Sequence, residues 1–109
     1  MFALNRATRV FVKTGATDMR LSFNGLYAQV ISILKQQPLS GHLFCFCNRA
    51  PTRIKILTFD GSGLWVLAKR LEKGTFAWPQ EGESEIDPTR LQALLTGFEI
   101  QARRHWYRG

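Results

Sequence analysis

The sequence lacks the features that mark secreted and membrane proteins. It has only two cysteines among 109 residues, too few for the disulfide framework of a small secreted domain. No stretch approaches the roughly 18 consecutive apolar residues of a membrane-spanning helix, and residues 1–9 contain no apolar run typical of a signal peptide. We therefore expect a cytoplasmic protein with no membrane partner.

Carboxylates are scarce over most of the chain. Residues 1–80 hold three acidic side chains against eleven basic ones, and the net charge of the whole chain is +7. Metal-assisted phosphodiester hydrolysis needs two or three carboxylates at one point, whereas Asp18, Asp60 and Glu72 each fit an ordinary place at a helix start, in a tight turn or beside basic residues. A metal nuclease is thus disfavoured.

Four more carboxylates follow in a stretch with Gly and Ser that indicates a solvated loop. They are Glu81, Glu83, Glu85 and Asp87. Ile86, among them, is expected to pair briefly with an edge of the sheet.

Groups for zinc binding or covalent catalysis are equally sparse. If residues 42–48 form a strand, its period of two points His42 away from the face shared by Cys45 and Cys47, and a zinc site needs about four converging ligands. Neither thiol has a nearby histidine partner, since His105 lies in the tail, and no Gly-rich phosphate loop is present. We expect two core thiols, no cofactor and no enzymatic activity.

The length predicts a single domain over residues 1–109, with a folded core at about 9–99 and a basic, aromatic tail at 100–109. Short β-rich runs predict strands at 9–13, 42–48, 54–59, 64–71 and 75–78. Apolar residues three and four apart predict one helix from Met19 to Leu34, capped by Thr17 or Asp18, with Gly25 indicating close packing against its backbone. Asp87 and Pro88 begin a second helix, along which Leu91, Leu94, Leu95 and Phe98 recur three and four apart.

The order β-α-β-β-β-β-α predicts an α+β fold, with a mainly antiparallel sheet and two helices packed on it. The run Asp60-Gly61-Ser62-Gly63 predicts a hairpin loop between two of the strands.

Pairing Phe59 with Leu64 across this loop places Arg53 opposite Arg70 and brings Lys55 to the same face. Such a cationic face can bind phosphates in a salt-dependent way, or it can be a solvated face whose charges prevent aggregation.

The aromatic side chains also have two possible roles. Trp65, Phe76 and Trp78 can stack on nucleic-acid bases, or they can fill the core of a small domain. The tail at residues 100–109 mixes arginine with aromatic residues, as both nucleic-acid arms and partner-docking peptides do.

Several short motifs together resemble the TnpB-type accessory proteins encoded by bacterial insertion sequences of the sixty-six group. They span about residues 9–98 and comprise Arg9-Val10-Phe11-Val12, Thr14-Gly15, Thr17-Asp18-Met19-Arg20, Phe23, Gly25-Leu26, Ser40-Gly41-His42-Leu43-Phe44, Arg53-Ile54-Lys55-Ile56-Leu57, Asp60-Gly61, Gly63, Lys69-Arg70-Leu71-Glu72, Gly74, Phe76 and Trp78-Pro79.

This resemblance implies a role in DNA transposition, beside a larger transposase and another small protein of the same element. The short chain is distinct from the RNA-guided nuclease that shares the TnpB label. The resemblance and the charge pattern together predict an accessory protein that binds duplex DNA through its phosphates. The predicted contact residues are Arg20, Arg49, Arg53, Lys55, Lys69, Arg70 and Lys73.

An adaptor that assembles with the transposase without contacting DNA is the alternative. Such an adaptor would dock through the apolar face of the last helix or through the acidic stretch at residues 81–87.

Overall fold

The computed structural model describes residues 7–96, and it has the predicted α+β fold and element order. The elements are β1 (Val10–Val12), α1 (Phe23–Ser32), β2 (Leu43–Cys47), β3 (Arg53–Phe59), β4 (Leu64–Arg70), β5 (Glu85–Ile86) and α2 (Pro88–Thr96). Phe98 of the predicted second helix and the predicted tail lie outside the described residues.

The strands form one sheet in the order β4-β3-β2-β1-β5. Three neighbouring pairs are antiparallel, whereas β1 and β2 are parallel. The parallel pair follows from the crossover through α1, which carries the chain from the end of β1 back to the start of β2. The sheet is therefore mixed and only mainly antiparallel.

Both faces of the sheet are covered, one by each helix. On one face Leu26 and Val30 of α1 pack with Phe44, Phe46 and other buried residues. On the other face Leu91 of α2 packs with β1 and β2, and Leu94 packs near the start of β3. Because β2 lies in the centre, all five of its residues are buried, as its uninterrupted apolar run predicts.

The predicted strand at residues 75–78 is wrong. The chain turns at Gly74, which has a φ of 72°, and the amide of Phe76 donates to the carbonyl of Pro51 at 2.7 Å instead of pairing with β4. Phe76 is thereby buried in the core. The fifth strand is β5, which pairs with β1 at the opposite edge, so Ile86 makes the short edge pairing that its sequence suggested.

The first helix begins later than predicted, at Phe23. Asp18 closes a turn ahead of it, because its carboxylate accepts the amide of Arg20 at 2.9 Å, and the residue before the helix is Ser22, whose side chain makes no capping bond. The close packing expected at Gly25 is present: a Cβ there would lie 2.6 Å from the Cδ2 of Leu21.

No helix within residues 7–96 is long and apolar enough to cross a membrane.

Candidate nucleic-acid interface

The hairpin of β3 and β4 has the predicted register. Phe59 pairs with Leu64, and Arg53 pairs with Arg70 at the other end of the ribbon. Residues directly opposite each other in antiparallel strands share a face. Arg53, Arg70 and Lys55 are therefore on one face of the sheet, the face that α1 covers.

Asp60 fixes this register from the loop. One of its carboxylate oxygens accepts the amides of Ser62 at 2.8 Å and Gly63 at 2.9 Å, and the other accepts the indole N–H of Trp65 at 2.7 Å. These hydrogen bonds, led by the one from Trp65, hold the pKa of Asp60 well below its ordinary value. Asp60 is thus a structural residue, and Trp65 is tied to the loop.

The opposite end of the sheet collects most of the predicted contact residues. β1, β2 and β4 end there and β3 begins there. We call this region the basic end and define it by Arg20, Arg49, Arg53, Arg70 and Lys73. All five side chains are on exposed residues.

Asn48, which is not among the predicted contact residues, shapes the turn that carries Arg49 and Arg53. Its side-chain oxygen accepts the amides of Thr52 and Arg53, each at 2.9 Å, and its amide group donates to the Thr52 hydroxyl at 3.1 Å. The amide of Leu71 then donates to the carbonyl of Thr52 at 2.9 Å, which ties the end of β4 to this turn. An asparagine just after a strand is a turn signal that could have identified it.

Arg53 and Arg70 are the central pair of the basic end. They are like charges directly opposite each other, an arrangement that destabilises a sheet unless an anion compensates it. Glu72 pairs with Arg70 at 3.2 Å, while the Arg53 side chain has no hydrogen-bond or ion-pair partner among residues 7–96. A cleft of about 460 Å³, which we call the arginine cleft, is lined by both arginines together with Met19 and Glu72.

Two of the three lysines of the predicted set, Lys55 and Lys69, make hydrogen bonds to other segments. The ammonium group of Lys55 donates to the carbonyl of Leu21 at 2.7 Å and is half-buried. Lys69 pairs with Ile54, so its side chain is on the other face of the sheet from Arg53, and its ammonium group donates to the carbonyl of Leu95 in α2 at 2.6 Å. Both lysines line the arginine cleft, but the ammonium group of each is held by a main-chain carbonyl of another segment, and that of Lys69 is not brought together with Arg53 and Arg70.

The remaining members of the basic end differ in their partners. Arg20 forms an ion pair with Asp18 at 2.8 Å, and this hydrogen bonding lowers the pKa of Asp18 to about 2. The side chains of Arg49 and Lys73 have no hydrogen-bond or ion-pair partner within the described part of the chain. Only two carboxylates, those of Asp18 and Glu72, are ion-paired with members of the basic end within that part.

The acidic stretch is not the free solvated loop that the sequence suggested. Glu83 pairs with Arg90 at 2.6 Å, and Glu85 pairs with Arg9 at 2.7 Å across the edge of the sheet. The arginine partner lowers the pKa of each glutamate. Two of the loop's carboxylates are thus neutralised at the β5 edge, away from Arg53. The long separation along the chain, 76 residues for Arg9 and Glu85, hides such a pair from sequence reasoning.

The two thiols are core residues, as expected. Cys45 and Cys47 are both free and buried, and burial raises the pKa of Cys47 to about 12. Within residues 7–96 no group of three or more His, Cys, Asp or Glu side chains is placed to hold a metal ion.

Comparison with known proteins agrees with the sequence motifs. The model of the family described as IS66 Orf2 like protein matches residues 8–105. "Uncharacterized protein y4hO" of Sinorhizobium fredii strain NGR234 is 39% identical over 101 residues, which cover 91% of this chain and 88% of that protein. "Uncharacterized protein y4jC" of the same strain is 33% identical over 101 residues, covering 91% and 86%. No solved structure matches. The chain belongs to the IS66 Orf2-like family.

Proposed function

We propose that the protein is an accessory factor of insertion-sequence transposition that binds the phosphate backbone of DNA through its basic end. The observation that carries the proposal is the cross-strand pair of Arg53 and Arg70. Glu72 compensates only Arg70, so an anion that bridges both side chains would relieve their repulsion. Guanidinium groups bind phosphate oxygens through two parallel hydrogen bonds.

The rest of the basic end supports an extended anion rather than a single small one. Arg49 and Lys73 lie in the turns that flank Arg53 and Arg70, and neither has a hydrogen-bond or ion-pair partner among the described residues. Several cations along one end of a sheet suit a chain of phosphates, and such contacts fix position without reading sequence. Membership of the IS66 Orf2-like family supports DNA of the mobile element as that polyanion.

Two variants with the same net charge test the proposal. Arg53→Gln should weaken binding to random duplex DNA several-fold at low salt and make the dependence of log affinity on log salt concentration shallower by about one unit. Lys35→Gln removes one charge from an exposed residue beyond the C-terminal end of α1, and it should leave both quantities near those of the native chain.

The double variant Arg53→Gln, Arg70→Gln should lose more affinity than either single change. Fluorescence anisotropy at two salt concentrations measures all of these effects. Equal losses in Arg53→Gln and Lys35→Gln would mean that net charge alone drives binding, and would contradict a localised interface.

Docking on the transposase is a second candidate function, and one observation favours a particular surface for it. The ten residues of α1 include no charged side chain, and Phe23 and Ile31 on this helix are 47% and 50% exposed. The outer face of α1 is thus apolar in a protein of net charge +7, and exposed apolar patches are typical of protein interfaces.

The two surfaces that the sequence suggests for docking are partly engaged within the fold. Leu91 and Leu94 of α2 are buried against the sheet, and Glu83 and Glu85 of the acidic loop are paired with arginines. If the protein is an adaptor that docks through α1, the double variant Phe23→Ser, Ile31→Ser should no longer be captured by purified transposase at high salt in the absence of DNA. Unchanged capture would exclude α1 as the docking surface.

A further inference from the structure

A second cleft opens beside the basic end, on the other side of the turn that carries Arg49 and Arg53. Its volume is about 660 Å³, and it is open to solvent. We call it the Trp78 cleft. Three segments line it: residues 14–16 after β1, the turn with Asn48, Arg49 and Pro51, and residues 75–81, with Arg90 at one side.

One wall of the Trp78 cleft is formed by an indole ring that is fixed in place. Trp78 is half-buried, and its indole N–H donates to the carbonyl of Lys13 at 3.0 Å, so the ring is held in one orientation. Pro51 and Pro79 line the cleft beside it. An aromatic ring held in this way can serve as a stacking surface for a nucleobase.

The charges around the cleft are arranged asymmetrically. Arg49 is exposed and its side chain has no hydrogen-bond or ion-pair partner among the described residues, whereas the guanidinium of Arg90 is held by Glu83. Glu81 also lines the cleft, and its carboxylate repels phosphate. A ligand with one anionic and one neutral, flat part therefore fits with its anion at Arg49 and its flat part against Trp78.

Arg49 and Arg53 lie on one turn, and each lines a different cleft. A strand whose phosphates contact both arginines passes the mouth of the Trp78 cleft. Bases inside a duplex are stacked on each other and cannot enter it, so only an unpaired base can. We propose that the Trp78 cleft binds an unpaired nucleobase of a DNA strand whose phosphates contact Arg49 and Arg53, an inference that rests on the proposed function.

Three DNA probes separate base binding from phosphate binding. They are a blunt duplex, the same duplex with a short single-stranded thymidine overhang, and the same duplex with an overhang of abasic sites, which keeps the phosphates and removes the bases. The native protein should bind the thymidine overhang about tenfold more tightly than the abasic one. Trp78→Leu should remove this difference, and the matched control Trp65→Leu should keep it.

A fluorescence measurement covers the case in which Trp78→Leu does not fold. In the variant Trp65→Phe, Trp106→Phe the only tryptophan is Trp78, and the thymidine overhang should quench its emission while the abasic overhang should not.

Equal affinity for the thymidine and abasic overhangs, with duplex binding intact, would overturn the base site and leave the proposed function standing. Failure of all three probes to bind would overturn both.

Discussion

At the scale of single residues, the cations of this protein divide by what their side chains contact. Lys55 and Lys69 donate to main-chain carbonyls of other segments, which suits a single ammonium group on a long apolar stem. Arg53 has no such partner among the described residues and faces Arg70. Residue type and spacing alone cannot separate these roles, because the separating contacts are with residues 34 and 26 positions away from the two lysines.

Lys69→Met should therefore act on stability more than on DNA binding. The change removes the hydrogen bond to the carbonyl of Leu95 near the end of the described part of α2, and we expect the free energy of unfolding to fall by about 0.5 to 1 kcal/mol. Lys73→Met, which removes an exposed lysine without a hydrogen-bond or ion-pair partner among the described residues, should leave stability unchanged. Urea denaturation measures both, and an equal effect of the two changes would contradict the assignment.

Two buried threonines offer a matched pair of stability tests. The hydroxyl oxygen of Thr17 is the only buried side-chain oxygen or nitrogen within the described range that has no hydrogen-bond partner, whereas the hydroxyl of Thr58 donates to the carbonyl of His42 at 3.1 Å. Thr17→Val should raise the free energy of unfolding by about 1 kcal/mol and Thr58→Val should lower it by a similar amount. A loss of stability in Thr17→Val would show that the hydroxyl has a partner in solution.

At the scale of elements, the sequence pattern predicted those features that depend on neighbouring residues in the chain. The hairpin register followed from the turn residues at Asp60, the burial of β2 from its apolar run, and the second helix from its start at Pro88. Residues 75–78 have strand propensity, yet they are held by a hydrogen bond to Pro51. That contact arises from tertiary packing of Phe76, which no local window contains. The Trp78 cleft depends on three distant segments and was unpredictable for the same reason.

The hairpin loop should keep its structure to low pH. Because the pKa of Asp60 is lowered from 3.8 in the folded protein, the ionised carboxylate stabilises the fold above about pH 4, and this contribution is lost only as the pH falls through the lowered value. NMR titration of the Asp60 carboxylate carbon should give a midpoint well below 3.8. In Trp65→Phe, which removes the indole donor, the midpoint should move upward. An Asp60 midpoint at its ordinary value would contradict the loop geometry.

At the scale of the whole molecule, paired and unpaired charges lie in different regions. Arginine partners neutralise Glu83 and Glu85 at the β5 edge, while the basic end keeps three cationic side chains without a hydrogen-bond or ion-pair partner among the described residues, at Arg49, Arg53 and Lys73. The sequence contains an excess of basic residues and predicted that many of them lie on the hairpin. It could not predict that the acidic stretch is paired elsewhere, which leaves the basic end cationic.

Backbone amide NMR during titration with a short random duplex tests the basic end most directly. We predict shifts that saturate together in the turn around Arg49 and Arg53 and from Arg70 to Lys73, with the hairpin loop at Asp60 unaffected. Shifts centred on the Asp60 loop or on the outer face of α1, with the basic end unchanged, would contradict it.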